Sequence, residues 1–159
     1  MIHPPKLAKI LDNLGYNFRH FTMQNFIARV EEQTGRKIHF VEWAMPKKIF
    51  GAWIAGPDED YIFFSERLPP LLQNHVQLHE TAHILCGHAT ITIDQPEDLE
   101  KVELLLRSSA YDNPQEQEAE WLAGLIQAKV IKFHLIHELS VSVSADMELV
   151  EFLRSLGIA

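Results

Sequence analysis

The stretch PPLLQNHVQLHETAHILCG, residues 69–87, marks the change from a β-rich part of the chain to a helical part. It opens with two prolines, which suit the first turn of a helix, and it ends at a glycine, which suits a helix C-terminus. Inside it lies an H-E-x-x-H pattern made by His79, Glu80 and His83. Residues four apart share one face of a helix, so both imidazoles can point at a single metal ion.

The segments around this helix predict the rest of the fold. Thr22 is the expected N-cap of a helix that stops at Gly35. Helices are predicted at 3–14, 22–34, 69–87, 99–107, 115–134 and 145–156. Strands are predicted at 37–43, 49–55 and 61–64, of which the last two form a hairpin. The expected class is therefore α+β, with a small antiparallel or mixed three-stranded sheet followed by a helical part.

The composition limits the kind of protein this can be. The chain has 159 residues, which predicts one domain over 1–159 with a core from about 22 to 134. With 14 Lys and Arg against 22 Asp and Glu, its net charge of −8 argues against direct binding to nucleic acid or to anionic lipid. The single cysteine cannot form an internal disulfide, and no apolar run is long enough for a membrane span. We expect a cytoplasmic protein.

The H-E-x-x-H pattern predicts a zinc site with hydrolytic chemistry. Two imidazole nitrogens and one carboxylate suit Zn²⁺ and leave a position for water. Glu80 is turned about 100° from His79 around the helix, so it can reach that water without binding the metal. Zinc is thus the predicted cofactor, with His79 and His83 as ligands and Glu80 as the general base.

The predicted third ligand is Glu118, on the helix at 115–134. On a helical wheel Glu118 projects into the middle of an apolar arc formed by Trp121, Leu122, Leu125, Ile126 and Phe133. A carboxylate on a buried face needs a partner, which a zinc ion would supply. A buried ion pair with Lys129 on the same face would also supply one, so both interpretations stay open.

Other residues near the motif are weaker candidates for the third ligand. His88 follows His83 by five residues, whereas the extended metzincin pattern needs six, and a histidine suits a helix C-terminus. Glu116 and Glu120 project to the opposite side of their helix from Glu118. Because Asn113 is the predicted N-cap, Glu116 at the third position after it is interpreted as part of a capping arrangement.

These motifs resemble the ImmA/IrrE family of zinc metallopeptidase-like proteins. The resemblance runs from about residue 26 to about residue 127 and rests on YIFFSERLPP at 61–70, HETAHILCGH at 79–88 and EAEWLAGLI at 118–126. The resemblance implies that His79, His83 and Glu118 bind zinc and that Glu80 is the general base. It also implies a partner, since members of the family cleave repressors of the helix-turn-helix type and so release transcription.

The sequence leaves more than one function open. The first is a zinc endopeptidase of narrow specificity, whose protein substrate would be a regulator such as a helix-turn-helix repressor. The second is a catalytically inactive, zinc-containing binding or sensor module that sequesters a regulatory partner. An intact Glu80 favours the first, because a purely structural site needs no base. A toxin-like effector that hydrolyses another cellular protein is a third possibility.

Overall fold

The computed structural model describes residues 4–94, 101, 106, 112–142 and 154–157, with the backbone alone for 137–142. In this part of the chain, four α-helices accompany a four-stranded sheet. The helices are α1 (Pro4–Leu14), α2 (Met23–Thr34), α3 (Pro70–Cys86) and α4 (Asn113–Ser142). The strands are β1 (Lys37–Trp43), β2 (Gly51–Ala55), β3 (Glu59–Ser65) and β4 (Ile91–Thr92). The predicted α+β class is confirmed.

The sheet is mixed, in the order β1-β3-β2-β4. Strand β1 runs parallel to β3, β2 and β3 form the predicted antiparallel hairpin, and β4 runs parallel to β2. The prediction of three strands was wrong, because β4 adds a fourth. Only Ile91 and Thr92 form it. A two-residue strand carries no alternation of polar and apolar residues, so its sequence cannot reveal it.

The ends of α2 follow from local chemistry. The Thr22 side chain accepts a hydrogen bond from the backbone N–H of Asn25, whose own side chain accepts one from the Thr22 backbone. Gly35 ends the helix in the left-handed region at φ 70°, where the missing Cβ avoids strain. Both predicted ends of this helix are confirmed.

The turn between β2 and β3 is held by one arginine. Arg36 pairs with the buried carboxylate of Asp60 at 3.0 Å and donates to the backbone carbonyls of Gly56 and Glu59. The indole N–H of Trp53 donates to the same carboxylate at 3.0 Å. Since a buried charge is stable only when it is paired and hydrogen-bonded, these contacts fix the hairpin against the end of α2.

Apolar side chains cover both faces of the sheet. Helices pack on the first face, in a core that includes Leu7, Phe26, Val30, Ile62, Leu122 and Ile126. The second face carries a smaller cluster that includes Met45, Ile54, Phe63 and Leu106. Helices α3 and α4 lie against each other on the first face, so any side chains that project between them are held by a packed scaffold.

Two predicted helices cannot be assessed. The helix expected at 99–107 lies outside the described residues except at 101 and 106, and the one at 145–156 does so except at 154–156. Within the described residues, none of the helices combines the length and the apolar character that crossing a membrane requires.

Candidate metal centre

Helix α3 presents the H-E-x-x-H pattern to its neighbour α4. Pro70 occupies the first turn and Gly87 ends the helix at φ 71°, as the sequence predicts. The imidazole of His83 is fully buried, and that of His79, one turn earlier, keeps 15% of its surface exposed. Both Nε2 atoms point the same way and lie 3.2 Å apart.

Helix α4 brings a carboxylate to these two rings. Its buried stripe consists of Ala119, Leu122, Ala123 and Ile126. Glu116 lies one turn before Ala119, at the edge of that stripe next to α3. One carboxylate oxygen of Glu116 is 3.2 Å from Nε2 of His79, and the other is 3.3 Å from Nε2 of His83.

The spacing of these donors suits a small tetrahedral ion. The three side chains form a triangle: the two Nε2 atoms are 3.2 Å apart, Nε2 of His79 is 3.2 Å from Oε2 of Glu116, and Nε2 of His83 is 3.3 Å from Oε1 of Glu116. Donors placed tetrahedrally at about 2.0 Å from a zinc ion stand about 3.3 Å apart. His79, His83 and Glu116 form one of two groups among the described residues that could hold a metal ion.

The outer nitrogen of each histidine also has a partner. Nδ1 of His79 lies 2.8 Å from the Glu120 carboxylate, which contacts His75 through its other oxygen at 3.1 Å. Nδ1 of His83 lies 2.8 Å from Nδ1 of His88. Such contacts fix the ring orientation, and the Glu120 carboxylate places a proton on Nδ1 of His79, whereas either ring can be the donor between His83 and His88.

Glu80 lies beside this triangle without belonging to it. The side chain is 4% exposed, and its Oε2 has no hydrogen-bond partner in the described part of the chain. Strand β2 approaches it closely at Gly51, where a Cβ would be 3.2 Å from Glu80 Oε1 and 2.2 Å from Cγ1 of Val76. A side chain at this position would displace Val76, so Gly51 lets the strand pass close to the candidate base.

The charges of the site alter several pKa values in the metal-free protein. Hydrogen bonds from His79 and His83 lower the pKa of Glu116 to about 2. Burial alone would lower the pKa of His79, but the carboxylates of Glu116, Glu80 and Glu120 outweigh it and raise that pKa to about 9. Burial raises the pKa of Glu80 to about 7 and lowers that of His83. The triangle thus favours a positive charge, which a proton on His79 supplies when no metal is bound.

The structure differs from the sequence prediction at the third ligand. Glu118 does not join His79 and His83; its Oε2 contacts Nζ of Lys6 at 3.1 Å, and its Oε1 lies 3.8 Å from Nε2 of His88. The alternative pairing with Lys129 is also absent, since the Lys129 ammonium lies over the ring of Phe18. Glu116 takes the position that the sequence assigned to Glu118.

The error has a physical cause. The predicted apolar arc counted Trp121 as buried, but its side chain is 49% exposed. The two small residues Ala119 and Ala123, which the arc left out, mark the face that packs most closely. Glu116 and Glu118 therefore flank the true stripe on opposite sides. The cap that was assigned to Asn113 and Glu116 is also different, because Asp112 accepts the hydrogen bond from the Gln115 N–H at 2.9 Å.

An open cleft leads to the candidate metal site. It has a volume of about 420 Å³ and lies between the start of β2 and the helices α3 and α4. Lys48, Ile49 and Phe50 form one side, and His79, Glu80 and Glu116 lie among the residues opposite. A peptide segment entering this cleft would pass both the three donors and the Glu80 carboxylate.

Comparisons with known proteins do not assign this chain to a family. No family model matches the chain, and neither the curated proteins nor the solved structures give a match. The resemblance to the ImmA/IrrE family therefore stays a prediction from the motifs.

Proposed function

We propose that the protein is a zinc-dependent endopeptidase of narrow specificity that cleaves a protein regulator, such as a helix-turn-helix repressor. The observation that carries this proposal is the convergence of His79, His83 and Glu116: the two Nε2 atoms lie 3.2 Å apart, and each lies 3.2 or 3.3 Å from one oxygen of the Glu116 carboxylate. The unpartnered carboxylate oxygen of Glu80 beside it supports a hydrolytic role.

The residues of this chain have separate parts in that reaction. A zinc ion on the three donors would supply Lewis acidity for the scissile carbonyl and would lower the pKa of a bound water. Glu80 accepts a proton from the attacking water and transfers it to the amine nitrogen of the leaving peptide. A backbone hydrogen bond from Trp53 holds the Glu80 carboxylate while Oε2 stays available. Glu120 and His88 orient the two imidazoles.

Two observations and one resemblance bear on the nature of the substrate. The open cleft of about 420 Å³ between β2 and α3 supports a protein substrate, because an extended segment could enter it. The assignment of a repressor comes from the motif resemblance alone. A net charge of −8 favours action through a partner over direct binding to nucleic acid.

The test compares the wild-type protein with Glu80→Gln in the organism that encodes the chain. Each is expressed from an inducible promoter, newly formed protein N-termini are quantified by mass spectrometry, and zinc content is measured on the purified proteins. We expect both proteins to bind one zinc ion and only the wild type to generate new N-termini. The isosteric Gln keeps the shape of the side chain but cannot take a proton.

A zinc-loaded wild type that generates the same N-termini as Glu80→Gln would overturn the proposal. The inactive zinc-containing binding or sensor module would then become the better explanation. That explanation requires the partner to be retained by both proteins, which a pull-down with each would show.

A further inference from the structure

A second group of metal-ligating side chains lies beyond the end of α3. Gly87 takes the left-handed conformation, and the chain then returns His88 to the side of His83. The Sγ of Cys86, a ring nitrogen of His88 and a carboxylate oxygen of Glu118 all lie within 4.8 Å of one another. The proposed peptidase chemistry uses neither Cys86 nor Glu118.

The imidazole of His88 indicates that this group could bind a ligand. Its side chain is 7% exposed, and its buried Nε2 has no hydrogen-bond partner among the residues that the structure describes. The nearest carboxylate oxygen, Oε1 of Glu118, is 3.8 Å away, which is too long for a hydrogen bond. A buried polar nitrogen left in this state destabilises the fold, so the arrangement favours a ligand that binds it.

The rest of the group is disposed to receive a cation. Lys6 holds one carboxylate oxygen of Glu118 at 3.1 Å and leaves the other on the side of His88. Sulfur, imidazole and carboxylate together suit zinc and related divalent transition metals, and they suit magnesium or calcium poorly. A cation here would satisfy Nε2 of His88 directly.

We infer that Cys86, His88 and Glu118 form a second site for a divalent transition metal, and that this site and the one at His79, His83 and Glu116 exclude each other. Binding at the second site forms bonds from the metal to the thiolate, Nε2 of His88 and Glu118, and the thiol proton of Cys86 leaves to solvent. The exclusion rests on the proposed function, because it assumes that the first site binds metal.

The exclusion follows from one shared proton. Nδ1 of His83 and Nδ1 of His88 lie 2.8 Å apart, so one ring donates and the other accepts. If His83 donates, its Nε2 is unprotonated and can bind the first metal, and the neutral His88 carries its proton on Nε2. If His88 donates, its Nε2 is free for the second metal and His83 carries its proton on Nε2. Each arrangement leaves one site with a ligand and blocks the other.

Cobalt(II) titrations of the metal-free protein test both statements. Cobalt is a suitable probe because a cobalt–thiolate bond gives an intense charge-transfer absorption that imidazole and carboxylate ligands do not give. The proteins are the wild type, Cys86→Ser, the double variant His79→Ala/Glu116→Ala, and the same double variant carrying Cys86→Ser. Circular dichroism checks that each is folded, and His79→Gln replaces the double variant if that protein is unfolded.

We expect the wild type and Cys86→Ser to bind one cobalt ion without charge-transfer absorption. The double variant should bind one ion with that absorption, and Cys86→Ser should abolish the absorption in the double-variant background. No charge-transfer absorption in the folded double variant at saturating cobalt would overturn the second site. Two ions bound at once to the wild type would overturn the exclusion. Failure of the first site has another signature: Cys86→Ser would then bind no cobalt.

Discussion

Replacing Glu116 should weaken zinc binding far more than replacing Glu118. The binding free energy of a structural zinc ion with four protein ligands is about 10–16 kcal/mol, which is about 3 kcal/mol for each ligand. The Glu116 carboxylate touches both candidate histidines, at 3.2 and 3.3 Å. Glu116→Ala should therefore raise the Kd for zinc about a hundredfold. Glu118 contacts Lys6 instead, so Glu118→Ala should leave the Kd within about threefold of the wild type.

The pH of the assay decides whether this difference is visible. Glu116 helps raise the pKa of His79 to about 9, so at pH 7 a proton competes with zinc in the wild type. Because the assay pH lies two units below this pKa, protonation of His79 weakens zinc binding about a hundredfold. Loss of Glu116 lowers the pKa of His79 and so removes much of this competition between proton and zinc. At pH 7 the two effects would largely cancel. Near pH 9 the competition is nearly gone and the loss of the ligand appears in full.

The assay is a zinc competition against a fluorescent chelator, run at pH 7 and at pH 9 on the wild type and the two alanine variants. Circular dichroism on each protein shows whether the substitution has disturbed the helices. If Glu118→Ala loses zinc as strongly as Glu116→Ala should at pH 9, while Glu116→Ala keeps it, our assignment of the third ligand is refuted. The choice made from the sequence alone would then be the right one.

Three other predictions concern stability. In the metal-free protein, a folded-state pKa of about 9 for His79 against 6.5 unfolded stabilises the fold below pH 6.5, and this contribution disappears as pH rises through 9. Its Tm should therefore fall from pH 7 to pH 9, and a constant Tm would contradict this. Gly51→Ala should destabilise the protein by about 1–3 kcal/mol in urea unfolding, because the new Cβ meets Val76 Cγ1 at 2.2 Å. Adding Val76→Ala should recover part of that loss, and no recovery would refute the clash. Asp60→Ala should cost about 3 kcal/mol in the same assay, since it leaves the Trp53 indole without its acceptor and Arg36 without its carboxylate partner. An unchanged unfolding midpoint would show that these groups find water instead.

Features with local causes were predictable from the sequence. The cap at Thr22, the left-handed ends at Gly35 and Gly87, and the shared face of His79 and His83 each depend on residues within one or two helical turns. Short-range hydrogen bonding and helical spacing therefore determine them. The hairpin of β2 and β3 was also predictable from nearby residues, because its loop residues separate two apolar runs.

Features that depend on distant contacts were not predictable in the same way. Strand β4 has two residues and exists only because β2 offers it an edge. The side of α4 that faces α3 depends on which apolar residues the rest of the protein covers. Trp121 is the largest apolar side chain of its segment, and yet it is 49% exposed. The small residues Ala119 and Ala123 are fully buried instead. Residue size thus indicated the wrong face.

The arrangement of Glu116 and Glu118 has a consequence for comparing sequences. The stretch Glu116–Gln117–Glu118 contains two glutamates that a sequence alignment could match to the same position. If the alignment is shifted by two residues, a glutamate is still matched. Two residues on a helix point about 160° apart, so that shift exchanges a carboxylate facing α3 for one facing α1. When a role is transferred onto an E-x-E motif, the small residues that follow it are the better guide to which glutamate to match.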